Sequence, residues 1–157
     1  MSTSSKESVM VDSNVWIDYL LGEKRGIELM EELARRYLLA VTPTIYGEVA
    51  FQLLARNYTK LTGSYKFYSL RKELAKNPEL YKPVKTFDEF LDSLLASEVL
   101  IFLDENWEIL RISRNIRKKF GLLPNDAMIV SACEYYGISK IATFDDDFLR
   151  TPLEVLR

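Results

Sequence analysis

The sequence of 157 residues contains no histidine and a single cysteine, and these absences limit the chemistry open to the protein. Without histidine, a histidine general base, a Ser-His-Asp triad and the usual zinc sites are excluded. An internal disulfide is excluded as well. We therefore interpret Cys133, which lies in an apolar stretch, as a small buried hydrophobic residue suited to a reducing compartment. Any catalysis must use carboxylates, hydroxyls, lysines or a bound metal.

The chain also lacks a strong excess of charge and any long hydrophobic run. Its formal net charge is −2, so binding to nucleic acid would require a local basic patch. No apolar run approaches the roughly 20 residues that cross a bilayer, so we expect no membrane partner and a cytoplasmic location. Residues 1–8 are polar and Ser-rich, which predicts a disordered N-terminal tail. Residues 9–157 are expected to form a single globular domain.

Short apolar strands alternate with helical segments along the rest of the chain. This alternation predicts a three-layer α/β/α fold with a central, mainly parallel sheet of four to five strands. Pro78 and Pro83 are expected to interrupt the helices of a helical insertion at 58–97, and Thr86 with Glu89 matches a capping box that would open its last helix. The predicted strands are 9–11, 38–41, 99–103, 140–143 and an edge strand at 155–156, and the main helices are 15–20, 27–37, 43–57, 105–120 and 124–136.

Acidic residues stand where apolar runs stop, namely Asp12, Glu48, Asp126 and Asp145. Strand-to-helix junctions bring distant residues to one edge of a parallel sheet, where these carboxylates would repel one another unless a cation lay between them. Oxygen ligands without Cys or His indicate Mg²⁺ or Mn²⁺. Taken singly, each residue has a simpler interpretation. Asp12, Asp126 and Asp145 are placed as helix N-caps or first-turn acids, and Glu48 as a surface residue.

The order of these motifs resembles the PIN domain ribonuclease family over nearly the whole chain. In that family an Asp after the first strand precedes a hydroxyl or small residue, and a turn with Pro leads a helix to an inward Glu. A later helix opens with a Leu-Pro-x-Asp-Ala type sequence, and the last strand gives Thr-x-Asp-x-Asp-Phe. The matching segments here are Asp12-Ser13-Asn14, Thr42-Pro43 leading to Glu48, Leu123-Pro124-Asn125-Asp126-Ala127, and Thr143-Phe144-Asp145-Asp146-Asp147-Phe148.

The resemblance implies a catalytic, metal-binding acidic pocket and assigns residues to it. Asp12, Glu48, Asp126 and Asp145 would be the catalytic residues and would bind Mg²⁺ or Mn²⁺. Asp147 matches a further Asp of the last motif and would join the metal shell or cap the last turn, whereas Asp146 has no counterpart and is expected to be solvent-exposed. The hydroxyls of Ser13 and Thr143 would orient ligands or water.

The same resemblance implies a metal-dependent endoribonuclease that hydrolyses phosphodiester bonds of single-stranded RNA. The small size of this chain is similar to that of the VapC-type toxins in the family. Those toxins pair as homodimers and bind a small antitoxin protein. Three alternatives stay open. The first is a PIN-type RNA-processing nuclease outside a toxin–antitoxin system, and the second is a non-catalytic PIN scaffold. The third is a haloacid-dehalogenase-like phosphohydrolase, although that class needs an Asp where this chain has Asn14.

Two surface features complete the expectations. A basic stripe at helical spacing, opposite an isoleucine face, is a candidate path for the RNA backbone. Its alternative is a solvated helix side. Aromatic residues of the insertion would form partner surfaces or would simply pack the insertion onto the core. The stripe consists of Arg111, Arg114, Arg117 and Lys118, and the aromatic residues are Tyr65, Phe67, Tyr68, Phe87 and Phe90.

Overall fold

A five-stranded parallel sheet forms the centre of the computed structural model, which describes residues 5–157. The strand order is β3-β2-β1-β4-β5, and every neighbouring pair is parallel. Apolar runs buried on both sides suit such central strands. The predicted parallel sheet and its edge strand near the C-terminus are confirmed. The strands are β1 (Ser8–Val11), β2 (Leu38–Val41), β3 (Leu100–Phe102), β4 (Lys140–Ala142) and β5 (Glu154–Leu156).

Helices connect the strands and flank the sheet. Because the strand order runs outward in opposite directions from β1, right-handed crossovers place helices on both faces, as in other doubly wound folds. Short 3-10 helices lie at Pro78–Tyr81 and Asp146–Arg150. The α-helices are α1 (Ser13–Leu20), α2 (Lys24–Arg36), α3 (Pro43–Thr62), α4 (Phe67–Lys76), α5 (Lys82–Ala96), α6 (Trp107–Phe120) and α7 (Pro124–Tyr136).

Several boundaries differ from those predicted. Helix α3 continues to Thr62 and ends at Gly63, whose φ of +81° is the left-handed conformation that glycine adopts readily. Helix α5 begins at Lys82, so Pro83 lies in its first turn, where a missing N–H costs nothing. The predicted capping box is wrong, because Thr86 lies inside α5 and donates its hydroxyl to the carbonyl of Lys82.

The structure describes only part of the predicted N-terminal tail. Residues 1–4 of the predicted 1–8 tail lie outside the described residues, whereas Ser8 already belongs to β1. The carboxylate of Glu7 accepts a hydrogen bond from Lys140, which also pairs with Glu154. Strand β1 therefore begins one residue earlier than predicted, and the residue before it is tied to the start of β4.

The aromatic residues of the 58–97 segment divide between the core and the surface. Phe87 is fully buried and stacks on Tyr46, and Trp16 contacts it edge-on. In contrast, Phe67 is 47% exposed and Tyr68 is 76% exposed. The packing interpretation thus holds for the α5 aromatics, while the aromatics near α4 form an open surface.

Cys133 is fully buried, as predicted. Among the residues that the structure describes, no helix has the length and apolar character needed to cross a membrane.

Candidate active site

The point where the strand order reverses lies between β1 and β4, and their carboxyl ends lead into the predicted acidic residues. Ligands of open α/β sheets bind in the crevice at such a reversal. Asp12 follows β1 directly, and Thr143 follows β4. The backbone N–H of Asp12 donates to the carbonyl of Ala142 at 2.9 Å, which holds the two strand ends together.

Asp12 is buried, with 3% of its surface exposed, and both of its carboxylate oxygens accept hydrogen bonds. The backbone N–H of Ser13 donates to Oδ1 at 2.7 Å, which caps α1. The Thr143 hydroxyl donates to Oδ2 at 2.7 Å. The helix-cap interpretation of Asp12 is therefore correct, but it accounts for only one of the two oxygens.

The loop after β4 is tied to the start of α1 by side chains. The backbone N–H of Asp145 donates to the Thr143 hydroxyl at 3.0 Å. The Asn14 side chain accepts from the N–H of Phe144 at 3.2 Å and donates to the Thr143 hydroxyl at 3.3 Å. Asp145 in turn accepts from the N–H of Asp147 at 2.8 Å and so caps the following 3-10 helix. The position of Asp145 is thus fixed by two hydrogen bonds, one from its backbone N–H to Thr143 and one from the Asp147 N–H to its carboxylate.

Glu48 reaches the same place from α3, one turn inside the helix. It is half-buried, and the Ser13 hydroxyl donates to its Oε2 at 2.8 Å. Ser13 therefore binds one acidic residue through its backbone and another through its side chain. The Thr143 hydroxyl similarly links the carboxylate of Asp12 to the backbone N–H of Asp145. The role of both hydroxyls in orienting ligands or water stays a prediction.

Asp126 completes the site from the first turn of α7. Asp126, Asp145 and Asp147 each offer a carboxylate oxygen, and these oxygens lie within 4.8 Å of one another. We call these three residues the acidic trio. Asp146, between two of its members, points elsewhere and pairs with Arg157 at 2.7 Å, with 79% of its side chain exposed, as predicted.

The four predicted catalytic residues line one cleft of about 590 Å³, together with Ser13, Asn14 and Gln52. They do not form one compact cluster. Among the described residues, the group close enough to share one ion is the acidic trio, which contains Asp147 but neither Asp12 nor Glu48. Asp12 and Glu48 form the wall of the cleft beside this trio.

Burial and mutual repulsion shift the acidity of the cleft. Burial raises the pKa of Asp12 to about 6, although hydrogen bonds from Thr143 and Ser13 act in the opposite direction. Burial also raises the pKa of Asp126 to about 7, and the charges of Asp12, Asp145, Glu48 and Asp147 add to the effect. A divalent cation would relieve this repulsion. The donor set is made of carboxylates without sulfur or nitrogen, so it fits Mg²⁺ or Mn²⁺.

Sequence reasoning missed the contributions of Asn14 and Gln52 to this cleft. Asn14 belongs to the first motif, but its two hydrogen bonds to the loop after β4 depend on tertiary structure. Gln52 follows Glu48 by one helical turn on α3, and this spacing is a signal that could have found it. Both side chains are neutral, and both lie next to the carboxylates.

The predicted basic stripe lies on α6, outside the lining of the cleft. Its four side chains are exposed. Arg111 pairs with Glu108 at 2.6 Å, and the Arg114 guanidinium lies 4.9 Å from the centre of the Trp107 ring. The role of the stripe in RNA binding stays a prediction.

A second cavity of about 600 Å³ lies between α6, α7 and the segment before β5. It is lined mainly by apolar side chains, including Ile112, Ile116 and Leu153. Among residues 5–157, Glu134 supplies the one carboxylate in its lining. The cleft at the sheet edge is therefore the candidate site for polar chemistry.

The chain is similar to known proteins over most of its length. A family model described as PIN domain matches residues 9–153. Ribonuclease VapC6 of Methanocaldococcus jannaschii is 33% identical over 145 residues, which cover 92% of this chain and 92% of the relative. Ribonuclease VapC2 of the same organism is 35% identical over 153 residues, covering 96% and 94%.

Solved structures share the fold at much lower sequence identity. The structure of VapBC2 from Rickettsia felis bound to a promoter DNA fragment has a TM-score of 0.63 and 15% identity, covering 95% of this chain and 97% of that one. VapC20 of Mycobacterium tuberculosis, described as a toxin that cleaves the sarcin–ricin loop, has a TM-score of 0.55 and 14% identity, covering 90% and 92%.

Proposed function

The chain belongs to the PIN domain family, and from this premise we propose that it is a metal-dependent endoribonuclease acting on single-stranded RNA. The observation that carries the proposal is the cleft at the strand reversal. There, carboxylates from four separate segments meet, and those of the acidic trio lie within 4.8 Å of one another. The two ribonucleases named above, each about one-third identical to this chain, support RNA as the substrate.

The residues of the cleft divide the work of phosphodiester hydrolysis. The acidic trio would hold Mg²⁺ or Mn²⁺, which when bound neutralises phosphate charge and lowers the pKa of an attacking water. Asp12 contributes negative charge from a fixed position, because both of its oxygens are held by donors from the protein. Glu48 is held through Oε2 by Ser13, and its carboxylate would accept a proton from the nucleophilic water.

The direct test is cleavage of an unstructured RNA with Mg²⁺, with Mn²⁺ and with EDTA. We expect cleavage with either metal and none with EDTA. Asp145→Asn should abolish cleavage, whereas Asp146→Asn should retain it, since Asp146 points to solvent and pairs with Arg157. Equal cleavage in EDTA, or equal loss in both variants, would overturn the proposal.

We further propose that the nuclease is the toxin of a toxin–antitoxin pair that acts on cytoplasmic RNA. Structural neighbours include VapBC2 and a toxin–antitoxin complex from Klebsiella pneumoniae, which has a TM-score of 0.58. The exposed aromatics near α4, Phe67 and Tyr68, provide apolar surface for a protein partner, either a small antitoxin or a second copy in a homodimer.

Expression in a bacterial host separates this role from that of an RNA-processing nuclease. Induction of the wild-type chain should arrest growth, Asp145→Asn should not, and co-expression of a cognate antitoxin should restore growth. Light scattering of the purified chain would report the homodimer. Growth that is unaffected despite active cleavage in vitro would favour the processing role. Cleavage itself would exclude the non-catalytic scaffold, and family membership excludes the haloacid-dehalogenase-like alternative.

A further inference from the structure

Arg150, at the end of the 3-10 helix after Asp145, binds three acceptors with three different nitrogens. Its Nε donates to the carbonyl of Phe120 at 2.9 Å, and one terminal nitrogen donates to the carbonyl of Gly121 at 2.9 Å. The other terminal nitrogen donates to Oδ1 of Asp147 at 3.0 Å. One guanidinium thus joins the C-terminus of α6 to a member of the acidic trio.

This fork lies between the two chain segments that supply the trio. Gly121 ends α6 in a left-handed conformation, with φ of +64°, and residues 121–123 lead directly into α7, whose first turn carries Asp126. Asp147 and Asp145 come from the loop and 3-10 helix after β4. The bonds to Phe120 and Gly121 therefore hold the start of the Asp126 segment at a set distance from Asp147.

We propose that Arg150 is a positioning residue for the metal site. It holds Asp147, and the loop leading to Asp126, in the arrangement in which the acidic trio binds one divalent cation. The proposal rests on the proposed metal-dependent function, but it concerns a residue that does not itself offer an oxygen ligand. A planar fork is suited to this task, since it fixes three acceptors at once.

Considered by its charge alone, Arg150 would weaken metal binding instead of supporting it. A guanidinium beside three carboxylates repels an incoming cation, so removing it should tighten metal binding if electrostatics dominated. The Arg150 and Asp147 side chains are 49% and 43% exposed, however, so solvent screens this repulsion. The geometric effect should be the larger one, because loss of a group that orients metal ligands typically weakens metal affinity by about 10- to 100-fold.

The experiment measures Mn²⁺ binding to the full chain by the loss of the free Mn²⁺ signal in electron paramagnetic resonance. The variants are Arg150→Met, which removes charge and fork, and Arg150→Lys, which keeps the charge but cannot reach three acceptors. Arg157→Met is the matched control, because Arg157 forms a comparable pair with the neighbouring Asp146 outside the cleft. The thermal unfolding of each metal-free variant is recorded, since Arg150 also caps α6, and binding is measured well below its midpoint. Arg150→Lys carries the test if Arg150→Met does not fold.

We expect Mn²⁺ affinity to fall by about 10- to 100-fold in both Arg150 variants and to stay unchanged in Arg157→Met. Cleavage should follow the same pattern at limiting Mn²⁺ and should recover largely at saturating Mn²⁺. Wild-type affinity in Arg150→Lys, or tighter binding in Arg150→Met, would overturn the positioning role while leaving the proposed function intact. Absence of Mn²⁺ binding by the wild-type protein would overturn both.

Discussion

Asp12 and Asp126 line the same cleft but are held in different ways. Asp12 is almost fully buried and accepts hydrogen bonds from the backbone of Ser13 and the hydroxyl of Thr143. Asp126 is less buried, yet its pKa is raised to about 7, compared with about 6 for Asp12. The difference follows from the donors, because hydrogen bonds to a carboxylate favour its charged form and offset the cost of burial.

This contrast divides the cleft into a preorganised wall and an open group of ligands. The wall, formed by Asp12 and Glu48, keeps its shape without a cation, since Ser13 and Thr143 donate hydrogen bonds to its carboxylates. The acidic trio has fewer donors for each carboxylate, since Asp145 and Asp147 accept one hydrogen bond each, and it depends more on an external positive charge. Metal binding should therefore change the protonation and stability of the trio more than those of the wall.

The largest expected effect comes from replacing one member of each group. Asp126→Asn and Asp12→Asn should each lower cleavage at saturating Mn²⁺ by at least about 100-fold, because each removes negative charge from the cleft in which the metal would bind. Their metal-free stabilities should differ. At pH 8, Asp126→Asn relieves repulsion and should stabilise the protein by roughly 1–3 kcal/mol.

Asp12→Asn should gain less, because the single amide oxygen can accept from the backbone of Ser13 or from the hydroxyl of Thr143 but not from both, and the loss of one such bond costs about 1 kcal/mol. Urea denaturation of both variants with EDTA measures the difference. Equal stabilisation by the two substitutions would mean that the donors of the wall do not offset repulsion, and the division of the cleft into two groups would be wrong.

The wall and the acidic trio also differ in how well the sequence alone predicts them. The position of Asp12 after β1 and of Asp145 after β4 could be foreseen, because parallel strands place their carboxyl ends at one edge. The family resemblance also assigned Asp126 and Asp147 to the metal site, but the separation of the trio from Asp12 and Glu48 could not be foreseen, since it depends on how the 3-10 helix after β4 lies relative to the loop after α6. The end of α3 at Thr62, before Gly63, was also missed, because the stability of a helix depends on tertiary packing as well as on local sequence.

A second prediction concerns the donors of the wall. Thr143→Val removes the hydroxyl that binds Asp12, Asn14 and the N–H of Asp145, and it should weaken Mn²⁺ binding by about 10-fold or more. It should also raise the pKa of Asp12 while leaving that of Asp126 nearly unchanged. Carbon-detected NMR of the carboxyl groups measures both values. Thr143→Ser, which keeps the hydroxyl, is the control, and a shift in Asp126 as large as that in Asp12 would contradict the separation.

A third prediction follows from the pKa values of the metal-free protein. The unfolded chain releases the proton of Asp126 near its usual pKa of 3.8, whereas the folded chain keeps it up to about 7. Stability from this group is therefore full below about pH 4 and is lost as the pH rises through about 7, and Asp12 acts in the same direction up to about 6.

We expect the free energy of unfolding in EDTA to be about 1–2 kcal/mol lower at pH 8 than at pH 5, and the decrease to be smaller in Asp126→Asn. The chain has no histidine, so its carboxylates dominate titration in this range. With saturating Mn²⁺ the trend should reverse, because metal ligands must be deprotonated. An increase in stability from pH 5 to pH 8 in EDTA would contradict the repulsion argument.

The smallest expected effect is on RNA binding by the basic stripe on α6, which lies outside the cleft. Arg117 and Lys118 lie in the last turn of α6, whose end Arg150 ties to Asp147. Arg111 lies nearer the start of the helix and already pairs with Glu108. The end of the stripe nearest the trio is thus the part best placed to contact the RNA backbone. The competing interpretation is that these cations only stabilise the negative end of the helix dipole.

Binding of RNA is measured as a function of salt in an Asp126→Asn background, which prevents cleavage. Arg117→Ala combined with Lys118→Ala should weaken binding across unrelated sequences and reduce the slope of log affinity against log salt by roughly 0.7 for each phosphate that the protein no longer neutralises. Arg111→Ala should have a smaller effect, because Glu108 already neutralises that side chain. Lys72→Ala with Lys76→Ala, on the exposed side of α4, is the charge-matched control and should leave the slope unchanged. An unchanged slope in the Arg117 and Lys118 variant would assign the stripe to helix stabilisation and would place the RNA path on another surface beside the cleft.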